Sequence, residues 1–234
     1  METSTLPPPQ NPALPDRIRM QEGLAVFVAL IAGFTDSVGL LRWKTFVSFM
    51  SGNTTSLGAA ISENQSGIIE TTATVIICFL LGIFAGTCLS LRTKEQWKTL
   101  SFYLVSGILV LFTAISYRYN IKPVPSIAIV GFSMGMMNTI VTSVGNLKVN
   151  TDFVTGTLNS LAVNTAMLTM SNDAVAKKEY RSNAIHLLLL WIGFLAGAWF
   201  APLVWPYVGS LILLIPAIML LVCAVMISTS IIKL

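Results

Sequence analysis

Apolar residues run through this chain in long unbroken stretches, and polar residues mark the joints between them. Six stretches approach the roughly 20 mostly apolar residues that a helix needs to cross hydrocarbon. They are A, 23–41; C, 68–91; D, 100–117; A′, 124–144; C′, 184–205; and D′, 208–232. Two shorter stretches, B (46–61) and B′ (153–170), mix apolar residues with Gly, Ser, Thr and Asn. The pattern predicts an all-α polytopic membrane protein with six long transmembrane helices plus two broken or re-entrant helices. Ahead of A, residues 1–20 are rich in proline and polar side chains, which predicts a disordered tail; 21–234 form one membrane domain.

The segments repeat. "GFTDS" (Gly33 to Ser37) aligns with "GMMNT" (Gly135 to Thr139), which sets Asp36 opposite Asn138. "FMSGN" then aligns with "FVTGT", and "GIFAG" (Gly82 to Gly86) with "GFLAG" (Gly193 to Gly197). Three matched patterns in one order predict a duplicated unit, repeat 1 over 21–118 and repeat 2 over 122–234. With B and B′ not crossing, each unit holds three spans, so the second is inverted relative to the first. A 3+3 inverted repeat is a frequent plan for secondary transporters, with the site near the midplane where the halves meet.

Composition agrees with the pattern. Hydrophobic residues make up 54% of the chain and charged residues 10%, against about 25% charged in soluble domains; the mean hydropathy is +0.77. The net charge of +4 would suggest nucleic acid as a partner of a soluble protein, but here the basic residues sit between spans and report orientation. With six spans and the N-terminus inside, Arg17, Arg19, Arg92, Lys94, Lys98, Lys148, Lys177, Lys178, Arg181 and Lys233 fall in the cytoplasm, and Arg42, Lys44, Arg118 and Lys122 outside. Both termini are then cytoplasmic, and the expected partners are the lipid bilayer and a small solute or ion, with no nucleic acid.

Asp36 carries the sharpest chemistry. A charge at that depth costs at least about 2.5–3.5 kcal/mol, so it faces a cavity, finds a partner or is protonated. One reading makes it a proton- or cation-binding group; the other makes it glue between helices. In B and B′, Gly52 and Gly156 are expected helix breaks. Asn53, Thr54, Thr157 and Asn159, with Asp36 and Asn138, are the expected substrate- or ion-binding side chains, and the broken ends would offer N–H groups to an anion or carbonyls to a cation. Gly82, Gly86, Gly131, Gly135, Gly193 and Gly197 are expected to let helices approach closely, within the chain or across a homodimer.

"GFSMG" (131–135) satisfies the G-x-S-x-G pattern, and His186 is the only histidine. An intramembrane serine protease using Ser133 and His186 is therefore an alternative, although the nucleophile elbow needs a strand before the serine. His186 reads more simply as an interfacial residue at the cytoplasmic end of C′. A scaffold without transport is a third reading. The chain shows no cofactor or metal motif, and no enzyme is expected.

The aspartate in "GFTDSVGL" followed by "FMSGNTTSLG", and "GMMNT" followed by "FVTGTLNSLA", together resemble the YoaK-type family of bacterial membrane proteins, a domain of unknown function. The resemblance implies a six-span protein of the bacterial inner membrane, a transporter with no assigned substrate, and it supplies no catalytic residue.

Overall fold

The structure, a computed structural model, describes residues 14–93, 97–140, 143–144, 147–148 and 154–228. Among these residues the chain is helical, apart from one short antiparallel pairing. The order is α1 (Leu14–Trp43), α2 (Met50–Ser62), α3 (Ser66–Thr93), α4 (Trp97–Arg118), α5 (Pro123–Met137), β1 (Ser143–Val144), β2 (Leu147–Lys148), α6 (Val154–Met170), α7 (Ala174–Val208) and α8 (Leu214–Ser228). In the pairing, Ser143 lies opposite Lys148 and Val144 opposite Leu147. Residues 1–13 of the expected tail lie outside the described residues; 14–20 form the start of α1.

Local chemistry sets several of these ends. Pro123 and Pro125 open α5, where a missing N–H costs nothing because the first turn has no acceptor for it. The Asp173 carboxylate accepts the N–H groups of Val175 and Ala176 and so caps α7. Asn64 takes a left-handed φ of 54° between α2 and α3, a conformation asparagine tolerates better than most residues.

Four helical stretches are long and apolar enough to cross a membrane: Met20–Trp43, Ser66–Arg92, Thr99–Arg118 and Ala174–Leu211. The other two expected spans are shorter as helices. α5 stops at Met137 rather than near 144, and α8 begins at Leu214, after a 3-10 turn at Gly209–Leu211; each has 15 residues. Apolar residues recur beyond these ends, Ile140, Val141 and Val144 after α5 and Leu211, Ile212 and Leu213 before α8, so hydropathy alone overran them.

The helices pair in a regular way. α1 packs on α7, α3 on α5, and α4 on α8, while α2 lies on α3 and α6 on α7. Glycines set these contacts. A Cβ on Gly33 would collide with the backbone of Phe194, and one on Gly197 with the backbone of Leu30 and Phe34. In the other pair, a Cβ on Gly135 would meet the Phe79 and Ile83 backbone, and one on Gly82 that of Phe132 and Met136. Gly193 faces Val26, Gly131 faces Val75, and Gly86 faces Thr139. Backbone-to-backbone approach of this kind is how membrane helices associate without a hydrophobic driving force.

α1 is the central helix: 67% of its apolar window is buried, against 22% for α3 and 28% for α7. Helices α2 and α6 are peripheral. Only Asn53 and Ala60 are buried in α2, and no residue in α6.

Candidate functional site

Around Asp36 the chain turns back on itself inside the fold. α1 continues past Asp36 to Trp43, and Lys44 then adopts a left-handed φ of 57°. Its N–H donates to the Leu40 carbonyl at 3.1 Å, and that of Thr45 to the Gly39 carbonyl at 3.4 Å. The returning segment lies directly against α1 at Gly39, where a Cβ would come within 2.6 Å of the Thr45 carbonyl oxygen and 2.9 Å of Val47 Cγ1. A glycine at 39 is what lets residues 45–49 run back down the helix.

That return delivers three successive backbone N–H groups to one carboxylate. Asp36 Oδ1 accepts from Val47 N and Ser48 N, both at 2.7 Å, and from Phe49 N at 3.4 Å. Asp36 Oδ2 accepts from the Ser48 hydroxyl at 2.8 Å. The carboxyl is 3% exposed. Consecutive N–H groups ahead of a helix start form a concave anion site, strengthened by the helix dipole. Here the anion is the protein's own, so the N-terminus of α2 is occupied by Asp36 and is not free for a solute anion.

Asn53 completes the arrangement from α2. Its Oδ1 accepts from Phe46 N at 3.1 Å and its Nδ2 donates to the Phe46 carbonyl at 2.8 Å. The amide thus serves both polar groups of one residue, as a neighbouring strand would. Asn53 is 1% exposed. Gly52 does not interrupt the helix; it sits within the first turn of α2, under the Phe46 and Phe49 rings, which meet edge to face at 5.3 Å. A Cβ at 52 would come within 2.5 Å of the Phe49 ring. The break lies earlier, at 44–49, because the left-handed turn and the two side-chain clamps act there.

The other expected site residues stand apart from this cluster. Thr54 is exposed and its hydroxyl donates back to the Met50 carbonyl at 2.8 Å. Thr157 is half-buried and Asn159 exposed, both on α6. Gly156 lies within the first turn of that helix and does not break it. Asn138 caps the C-terminus of α5, its N–H donating to the Met134 carbonyl at 3.0 Å, and its Oδ1 is buried without a partner among the described residues. Phe153 and Asp152, the counterparts of Phe49 and Ser48, lie outside the described residues.

Ser133 and His186 form no dyad. The Ser133 hydroxyl donates to the Ile129 carbonyl at 2.8 Å, one turn back on its own helix. His186 is 3% exposed rather than interfacial, and neither of its ring nitrogens has a hydrogen-bond partner among the described residues.

Sequence patterns did not reveal Gly39, Phe46 or Ser48. The clamp they build uses backbone donors, which no side-chain spacing marks.

Helices of spanning length, packed backbone to backbone on glycine and tied together by a buried carboxylate, define a multi-pass membrane protein. The chain belongs to the family described as "Protein of unknown function (DUF1275)", whose model matches residues 24–226. It is similar to the UPF0700 transmembrane protein RA0705 of Rhizobium meliloti (strain 1021), with 29% identity over 204 residues, 86% of this chain and 84% of that one. It is also similar to the UPF0700 transmembrane protein YoaK of Bacillus subtilis (strain 168), at 28% identity over 144 residues, 59% of this chain and 64% of that one. No solved structure matches the chain.

Proposed function

We propose that the chain is a small secondary transporter of the bacterial inner membrane, moving a small polar or ionic solute by alternating access, with both termini cytoplasmic. The observation that carries the proposal is the Asp36 clamp. A carboxylate deep in a membrane helix holds a discontinuity in the chain at its own depth, and irregular backbone at that depth is tolerated only where protein or water satisfies it.

Further observations support six spans arranged as an inverted repeat. Trp43, at the end of α1, meets Phe112 in the second half of α4 at 6.4 Å, as expected if these two helices run the same way with α2 not crossing. Exchanging α1–α4 for α5–α8 maps α1–α7 onto α3–α5 and α2–α3 onto α6–α7, and α4–α8 onto itself. In this reading the tightly packed α1–α7 and α3–α5 pairs move as units about the α4–α8 contact.

Asp36 is the coupling group. A proton on either oxygen removes an acceptor from a set of four donors, which loosens 45–49 and frees the start of α2. Ser133 and His186 take no hydrolytic role. The test is reconstitution into liposomes, with solute-driven currents and internal pH recorded across a panel of small polar solutes. Wild type should show solute-dependent proton or cation movement, and Asp36→Asn should transport without coupling or not at all. Coupling that survives Asp36→Asn would remove the proposal.

A scaffold without transport is the second reading, favoured by one observation: four donors from residues 47–49 already engage both oxygens of the Asp36 carboxylate. On that reading Asp36→Asn lowers stability and no solute produces a current.

A further inference from the structure

A cleft of about 490 Å³ opens between the first membrane turns of α1 and the last turns of α8. Met20, Gly23, Leu24 and Phe27 line it from one side, and Val222, Cys223 and Met226 from the other. Its volume falls in the usual range for ligand pockets, about 300–1,000 Å³. From Met20 to Phe27 it follows α1 for about 10 Å, a third of the hydrocarbon thickness. The cleft exists because α1 and α8 touch only lightly and because Gly23 offers no side chain; a Cβ there would find nothing within 4 Å.

The geometry points to a phospholipid acyl chain as the occupant, held as a fixed lipid rather than as passing solvent. Apolar walls exclude water, which needs two to four polar partners to stay in a cavity. An empty cleft of this size would forfeit the dispersion contacts of its whole lining. The surface around it is the one that hydrocarbon covers: Ile218, Leu221, Val222 and Val225 on α8 are 42–56% exposed, so the cleft is continuous with the lipid-facing side of the bundle. An acyl chain enters sideways from there, leaving its headgroup at the end of the bundle where α1 begins. This site is independent of the Asp36 cluster and of any transport activity.

The experiment uses the full chain purified in mild detergent after exposure to dioleoyl phosphatidylglycerol, with bound lipid counted by native mass spectrometry. Wild type should retain one phospholipid per protomer through repeated detergent washes. Gly23→Leu, whose Cβ has open space and whose isobutyl group takes up part of the cleft, should retain at least about tenfold less, the factor that two lost methylene contacts carry. Gly23→Ala is the folding control and should retain lipid as wild type does. Equal retention by Gly23→Leu and wild type overturns the site, as does a wild type stripped clean by the first wash. A lipid-free dimer that Gly23→Leu converts to monomer would also overturn it, by assigning the cleft to a second copy.

Discussion

Among the described residues, the two halves of the molecule share their packing but not their polar chemistry. After Asp36 the chain continues for two helical turns, reverses at Lys44, and brings Val47, Ser48 and Phe49 to a waiting carboxylate. At the matching place in the second half, α5 stops at Met137, and Asn138 holds a buried Oδ1 with no donor among the described residues. Yet Gly33 and Gly135, a few residues ahead of these two positions, press against partner helices in the same manner. A carboxylate offers two acceptor oxygens and can gather four donors; an amide offers one oxygen and brings two donors of its own. The duplicated frame is therefore a matter of shape, while the clamp depends on one atom type at one position.

The strongest way to break this comparison is Asp36→Ala. It leaves the three N–H groups and the Ser48 hydroxyl without their acceptor in a buried place, at about 1–3 kcal/mol for each donor that finds no substitute. The total loss should be about 3 kcal/mol or more, a fall in Tm above about 6 °C for a chain of this size. Thermal unfolding in detergent measures it. Asp36→Asn should fall in between, because its carbonyl oxygen can keep the N–H bonds while its NH₂ turns toward the Ser48 oxygen. If Asp36→Ala unfolds like wild type, the carboxylate is not what holds 45–49.

Next come the glycines, which test the shared half of the comparison. Gly33→Ala and Gly135→Ala each push a methyl into backbone, at Phe194 and at Phe79, and backbone cannot swing aside as a side chain can. Each should cost about 1–3 kcal/mol, and the two values should match within about 0.5 kcal/mol, the scatter of independent sites. A large difference between them would mean that the two helix pairs are not built alike.

How much of this was legible in the sequence depends on where the information sits. Hydropathy marks the membrane helices, and an aspartate inside one announces that it needs partners. It does not say which, because the partners are backbone N–H groups eleven to thirteen residues on, and every residue but proline has one. The end of α5 was hidden for a related reason: 138–144 still carries Ile140, Val141 and Val144 between its polar residues, with no Pro or Gly to stop the count. Asn53 was visible as a polar residue among small ones. Its service to Phe46 depends on the left-handed turn at Lys44, which no residue-type rule predicts. His186 stood out as the lone histidine, but its burial comes from helix packing, which spacing in one helix cannot show.

A milder effect should follow from Asn53→Ala, which unpairs the N–H and carbonyl of Phe46. The expected cost is about 1–2 kcal/mol, since the segment stays tied to Asp36 and water can reach the half-buried Phe46 backbone. Thr54→Ala, the adjacent position on the same helix, should change stability by less than about 0.5 kcal/mol because its hydroxyl is exposed and bonded only within its own turn. Hydrogen exchange at Phe46 separates the two variants: Asn53→Ala should speed it and Thr54→Ala leave it unchanged.

The smallest effect is the most telling. Asn138 occupies the position that Asp36 holds in the first half, and symmetry of chemistry would make Asn138→Ala as damaging as Asp36→Ala. The geometry says otherwise. Its Oδ1 is buried and receives no donor among the described residues, so removing it refunds a desolvation cost. The backbone N–H of residue 138, which does bond to Met134, is untouched by the substitution, and alanine suits a helix end about as well as asparagine in the right-handed conformation found here. Asn138→Ala should therefore unfold within about 0.5 kcal/mol of wild type, or slightly above it. A loss comparable to that of Asp36→Ala would show that Asn138 holds the second half together as Asp36 holds the first, and the contrast between the halves would vanish.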